Sequence, residues 1–125
     1  MLKILIVDDS IFSQKTTANL IKKFLKDVEI SFASDGKEGF IKYKNIKPDY
    51  TFIDLLMPGI NGQDLLKLIK EFNKNAKIFV VSADIQKGIR EEIEAYDVVA
   101  FINKPFNAEK AKLVCELIKK EEVNE

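Results

Sequence analysis

The stretch Tyr50-Thr51-Phe52-Ile53-Asp54, a short apolar run closed by a carboxylate, decides the fold of this chain. A second stretch of the same kind, Ile4-Leu5-Ile6-Val7-Asp8-Asp9, lies upstream. If the two are neighbouring parallel strands, Asp8, Asp9 and Asp54 converge at one edge of the sheet, where open α/β folds bind ligands. Around these stretches, short apolar runs alternate five times with longer segments of helical period. The spacing predicts strands at Lys3 to Val7, Glu29 to Ala33, Tyr50 to Ile53, Lys77 to Ser82 and Ala100 to Ile102. Between them, Ala18, Ile21, Phe24 and Leu25 form one apolar stripe and Leu65, Leu68, Ile69 and Phe72 another. Ile89, Ile93 and Tyr96 mark a third, and Leu113, Val114, Leu117 and Ile118 a fourth. A shorter helical segment, Lys37 to Lys44, carries Phe40, Ile41 and Tyr43.

Strands rich in Val, Ile, Leu and Phe, with little polar alternation, suit a parallel sheet covered on both faces. Right-handed crossovers place helices on both sides, which makes this a (βα)5 α/β domain. Ser10 and Asn107 stand where they cap the first and last helices. Pro58-Gly59 and Asn61-Gly62 mark a loop after Asp54. The charged tail from Lys119 to Glu125 is expected to fray.

Composition narrows the function. The 125 residues, 46% hydrophobic, make one domain. A chain of this size buries roughly two-thirds of its unfolded surface, enough for a core without disulfides or structural metal. The single Cys115 falls in the apolar pattern of the last helix and reads as a packing thiol, which points to a reducing cytoplasm. Twenty basic residues balance twenty acidic ones, so no excess of cations is available to neutralise nucleic-acid phosphates. No stretch approaches the roughly 18 apolar residues that span a bilayer, so no membrane insertion is expected. The chain has no histidine, which removes the commonest general base and leaves few soft metal ligands.

The polar residues that close the strands carry the chemistry: Asp8 and Asp9, Asp54, Ser82 and Lys104. Each alone has an ordinary reading. A pair of aspartates favours a helix start, Asp54 fits a turn, Ser82 a satisfied hydroxyl, and Lys104 before Pro105 a solvated loop. Together they make a site. Three close carboxylates repel one another unless a cation compensates them. Oxygen ligands without His or Cys favour a hard ion such as Mg2+. A carboxylate can act as a nucleophile and carry a phosphoryl group. Phosphoryl transfer needs positioning and charge stabilisation, which a metal, an ammonium and a hydroxyl supply.

With these residues in place, the chain resembles a response-regulator receiver domain of two-component signalling, from its first strand to its last helix. The resemblance rests on Asp8-Asp9-Ser10, Asp54 followed by Met57-Pro58 and Gly62, Ser82-Ala83, Phe101, and Lys104-Pro105-Phe106. It implies a flavodoxin-like doubly wound sheet of strand order 2-1-3-4-5, the order that general descriptions of this fold illustrate with the family's chemotaxis regulator. It implies that residues 1–125 form a single receiver in which Asp54 accepts a phosphoryl group from a sensor histidine kinase or a phosphotransfer protein. Asp9, Asp54 and the backbone carbonyl of Leu56 would hold Mg2+, or Mn2+ in its place, with Asp8 acting through a water. Lys104 would pair with the phosphoryl oxygens, and the Lys104–Pro105 bond would be cis. Ser82 and Phe101 would form the switch, and the readout surface would be the fourth helix, fifth strand and fifth helix, including Ile89, Ile93, Phe101 and Lys112.

Two departures from the family pattern stand out. Tyr96-Asp97-Val98-Val99-Ala100 lacks the usual glycine before the fifth strand, so Asp97 is expected in the left-handed conformation. Leu56 and Asp84 occupy positions that influence phosphoryl lifetime, and an apolar Leu56 predicts slow self-hydrolysis. The leading expectation is a stand-alone switch that binds a downstream protein, because no effector domain follows the last helix. The alternative is the N-terminal receiver of a longer response regulator. A small magnesium-dependent phosphatase would carry a second aspartate where Leu56 stands. A phosphorylation-independent interaction domain would have lost part of the acidic set or Lys104.

Overall fold

In a computed structural model of the protein, the described residues are 1–57, 59–83 and 87–123, with Lys87 described through its backbone alone. The ten elements alternate as the sequence predicts: β1 (Leu2–Val7), α1 (Ile11–Phe24), β2 (Val28–Ala33), α2 (Gly36–Ile46), β3 (Tyr50–Ile53), α3 (Gly62–Phe72), β4 (Ile78–Ser82), α4 (Lys87–Glu94), β5 (Ala100–Asn103) and α5 (Ala108–Val123). Strand ends differ from expectation by one residue at Leu2, Val28, Ile78 and Asn103.

Helix starts have local causes. Ser10 Oγ accepts from the Ser13 N–H, Asp35 from Glu38, Asn61 from Asp64 and Asn107 from Lys110. Each satisfies an amide that the first turn leaves without a carbonyl. Helix α2 is longer than the expected Lys37 to Lys44, because Asp35 caps it early and Lys47, at φ 52°, closes it in the left-handed conformation.

The five strands form one parallel sheet in the order β2-β1-β3-β4-β5. Strand side chains point alternately to its two faces. Ile4, Ile6, Tyr50, Phe52, Phe79 and Val81 build the core shared with α1 and α5, where the Phe52 and Phe79 rings stack 4.8 Å apart. Leu5, Val7, Ile53, Ile78 and Val80 build the other, with α2, α3 and Ile93 of α4. This is the doubly wound, flavodoxin-like arrangement.

Some helical stripes shift from their expected residues. In α5 the buried set is Ala111, Val114, Cys115 and Ile118, while Leu113 and Leu117 face outward. A helix packed against both the sheet and α1 takes small side chains where it approaches closely. In α3 Leu66 is fully buried, whereas Phe72 lies half-exposed and closes an edge-on aromatic contact with Phe40. In α1 Phe24 is only half-buried and Leu25 is the cap; in α4 Ile89 is exposed. Cys115 is buried as expected, and burial pushes its thiol up to about 11.

Candidate functional site

The register decides which side chains meet. Val7 pairs with Ile53, so Asp8 and Asp54, one step further on, leave the sheet level with each other. The Asp54 N–H donates to the Val7 carbonyl at 3.0 Å, and the Asp8 N–H to Ala33 at 3.0 Å. Oxygens of Asp8, Asp9 and Asp54 all lie within 4.8 Å of one another. Asp8 and Asp54 are buried, and Asp9 is exposed. Beyond β5, Lys104 returns to this group: its Nζ stands 3.2 Å from Asp8 Oδ2 and 3.2 Å from Asp54 Oδ2. The Lys104 N–H donates to the Ser82 carbonyl, and the Lys104–Pro105 bond is cis. The remaining buried carboxylate oxygens are also bonded. Leu56 N–H donates to Asp54 Oδ1 at 3.1 Å and Ser10 N–H to Asp8 Oδ1 at 2.9 Å.

One ammonium serves two buried carboxylates, and the electrostatics reflect that. Burial lifts the Asp54 carboxyl above its ordinary range, and the Leu56 N–H and Lys104 offset this only in part. Burial pulls Lys104 down, but the Asp54 and Asp8 carboxylates outweigh it and raise the ammonium above its usual value. Lys104 thus stays protonated, while ionised Asp54 is held at a cost. Three carboxylates and one ammonium leave two negative charges for a divalent cation to balance. The donors are all oxygen, which fits a hard ion such as Mg2+ rather than zinc or copper.

The structure brings Asp8, Asp9, Asp54 and Lys104 together as the sequence predicts. Ser82 is buried at the end of β4, and among the described residues its hydroxyl makes only a long 3.4 Å contact to the Ala83 carbonyl. Phe101 on β5 is half-buried, its ring 5.3 Å from the guanidinium carbon of Arg90. Leu56 is 64% exposed and, with Ser82, Asn61 and Ile89, lines a small cavity of about 180 Å³ beside the site. Asp97 has φ 59°, the left-handed conformation expected in the glycine-free turn. Lys70 Nζ binds its carbonyl at 3.1 Å and that of Ala76 at 2.7 Å, which holds the turn. Pro58 and Asp84 lie outside the described residues.

Ser13 and Gln14 escaped the sequence reading, and Gly62 entered it without its packing role. Ser13 Oγ is a third oxygen around Lys104, at 3.4 Å. Gly62 lies so close to the Asp54 carbonyl that a Cβ there would overlap it. The Gln14 carboxamide binds the Asp8 carbonyl at 2.7 Å. Its signal was available, since Gln14 sits one turn before Ala18 on the α1 stripe, a polar residue in a buried row.

A doubly wound sheet with an acidic cluster and a lysine at its carboxyl edge defines a class of phosphoryl-accepting signalling domains. The response regulator receiver domain family matches residues 4–116, and the chain belongs to it. The chain is 38% identical over 104 residues to a chemotaxis protein CheY of Thermotoga maritima, covering 83% of this chain and 86% of that protein. It is 36% identical over 106 residues to a protein-glutamate methylesterase/protein-glutamine glutaminase of Methanococcus maripaludis, covering 83% of this chain but 29% of that protein. Among solved structures, the CheX–CheY–BeF3–Mg2+ complex from Borrelia burgdorferi contains a chain that superposes with a TM-score of 0.83 at 30% identity, over 95% of this chain and 88% of that one. Receiver domains of this CheY type are phosphorylation-dependent switches of two-component signalling. Among the described residues no helix is long and apolar enough to cross a membrane.

Proposed function

We propose that Asp54 accepts a phosphoryl group from a phosphohistidine on a separate sensor histidine kinase or phosphotransfer protein, and that the added charge switches the surface of α4, β5 and α5. The observation that carries this reading is Lys104 Nζ, 3.2 Å from both Asp8 and Asp54 inside the three-carboxylate cluster. A carboxylate oxygen of Asp54 forms the new bond to phosphorus while the phosphorus–nitrogen bond of the donor breaks. The imidazole leaves with that electron pair. Lys104 shifts toward the phosphoryl oxygens, exchanging carboxylate partners for a phosphoryl one. Asp9, Asp54 and the Leu56 carbonyl would hold Mg2+, or Mn2+ in its place, with Asp8 assisting through a water. When bound there, such an ion would supply positive charge against the negative charge that develops on the phosphoryl oxygens.

Ser82 gives up its weak contact with Ala83 for a charge-assisted bond to the new oxygens, and Phe101 turns inward to follow it. The readout face then includes Ile89, Phe101, Lys112 and the outward Leu113 and Leu117; Ile93, expected on this face, is instead fully buried in the core under α4 and can contribute only from beneath it. Its occupant is a downstream protein rather than a nucleic acid. Residues 1–125 act as one receiver in the cytoplasm. Leu56 at the mouth of the site hinders an attacking water, so Leu56→Asn should speed autodephosphorylation. A second reading, a receiver at the N-terminus of a longer regulator, is favoured by the methylesterase relative, of which this chain spans under a third.

Intact-mass spectrometry after incubation with acetyl phosphate and Mg2+ tests the assignment. Wild type should gain one phosphoryl mass and Asp54→Asn none; equal gain in both would contradict it.

A further inference from the structure

The three carboxylates of the cluster are not held alike. Asp8 and Asp54 are fixed through their side chains by Lys104, Ser10 and Leu56. Asp9 is exposed, and its carboxylate accepts no hydrogen bond from any described residue. Its place within 4.8 Å of the other two therefore depends on the backbone that carries it.

That backbone is tied down by Gln14, which is 6% exposed. Its Nε2 donates to the Asp8 carbonyl at 2.7 Å and to the Ala33 carbonyl at 3.2 Å, and lies 3.3 Å from Ser34 Oγ. The β1–β2 ladder ends one step earlier, at the bond from the Asp8 N–H to Ala33. Gln14 thus supplies a further rung from a helix side chain, bridging the ends of two strands just where the chain turns from Asp8 into Asp9. A buried carbonyl without a donor is unfavourable, so loss of this amide would let the turn reorient to find another partner.

We infer that Gln14 is a positioning residue for the cation site: by locking the Asp8–Asp9 turn to the ends of β1 and β2, it presents the Asp9 carboxylate to a divalent ion. The inference rests on the proposed Mg2+ site. Partners that orient metal ligands typically change affinity by about 10- to 100-fold when removed.

Titration calorimetry with MgCl2 on the full chain, stripped of metal, separates positioning from plain stability. Gln14→Met keeps the length of the side chain and removes its donor. Ile69→Val trims a buried residue on the opposite face of the sheet and serves as a destabilised control. Gln14→Met should bind Mg2+ about tenfold more weakly than wild type at a temperature where both are folded. Ile69→Val should bind as wild type does. Wild-type affinity in Gln14→Met overturns the inference even if its Tm falls. A wild type that binds no Mg2+ overturns the cation site itself, and the inference with it. If Gln14→Met does not fold, nuclear magnetic resonance on the wild type decides. The Gln14 carboxamide protons should exchange slowly and shift on addition of Mg2+; fast exchange, or no shift in a protein that binds the ion, overturns the inference.

Discussion

At the ends of β1 and β3 each oxygen of the two buried carboxylates has a donor, whereas along β4, β5 and α4 the switch residues are loosely held. Asp8 and Asp54 are bonded by Lys104, Ser10 and Leu56. Ser82 has one long contact among the described residues, Phe101 is half-buried beneath Arg90, and Ile89 and Leu113 are exposed. The contrast shows where a new charge can act. Phosphoryl oxygens arriving at a saturated pole must take donors from existing bonds or draw new ones in, and Ser82, at the end of β4, is a donor with little to give up. A rigid site next to a loose surface converts local charge into a shift of conformer population.

The largest effect expected from breaking this contrast is at Gly62, whose place beside the Asp54 carbonyl leaves no room for a Cβ. Gly62→Ala should destabilise the protein by about 2 to 3 kcal/mol, the scale of forced overpacking, and slow phosphoryl acceptance. Urea denaturation and intact-mass time courses check it. At Asp54 itself, burial raises the folded carboxyl above its unfolded value, so stability from this group is present at low pH and lost as pH rises through the folded pKa. Asp54→Asn should therefore gain about 1 kcal/mol at neutral pH in magnesium-free buffer. The gain should shrink toward acid pH, where the wild-type carboxyl takes up its own proton. Thermal unfolding across pH reads this directly.

A comparable gain is expected within the rigid core. Thr51 Oγ1 is buried without a hydrogen-bond partner among the described residues, so Thr51→Val should stabilise by about 1 kcal/mol and leave phosphoryl acceptance unchanged. On the loose side, Arg90 lies over the Phe101 ring and pairs with Glu94. An exposed cation–π contact contributes about 0.5 to 1 kcal/mol. Arg90→Gln should shift the Phe101 ring population toward the inward state by two- to fivefold, the same energy expressed as a ratio, visible in aromatic chemical shifts without phosphorylation.

The smallest effect is far from both regions. Glu121 accepts from the Tyr50 hydroxyl at 2.6 Å, and that bond, with Lys77 beside it, holds the Glu121 carboxyl below its usual range. Its stabilising share is present above the unfolded pKa and disappears as pH falls through the folded one. Because Glu121 is over a third exposed, Glu121→Gln should cost no more than about 0.5 kcal/mol at neutral pH, and the cost should vanish as pH falls through the folded carboxyl's lowered pKa.

The alternation of short apolar runs with helical stretches carried the architecture into plain view, because a parallel sheet covered on both faces leaves little polar residue in its strands. The ends of those strands carried the site, since Asp8, Asp54, Ser82 and Lys104 each follow an apolar run directly. What escaped notice depended on contacts between distant segments. Ala111 is small, so an apolar pattern weighted by bulk favoured Leu113 and Leu117 for the inner face of α5, although Cys115 was read correctly as a packing thiol. Gln14 stands out as a polar residue in the buried row of α1, but the carbonyls it binds, at residues 8 and 33, are partners that no local spacing reveals. The necessity of glycine at 62 likewise depends on the Asp54 carbonyl folding back against it.

The coupling between the rigid pole and the loose surface is tested most directly by nuclear magnetic resonance of protein carrying 13C-labelled phenylalanine, with Mg2+, before and after beryllofluoride. Wild type should show the Phe101 ring resonances move on addition, while Asp54→Asn should show none of that movement. A wild type that binds beryllofluoride at Asp54 with its Phe101 resonances unchanged would contradict the account.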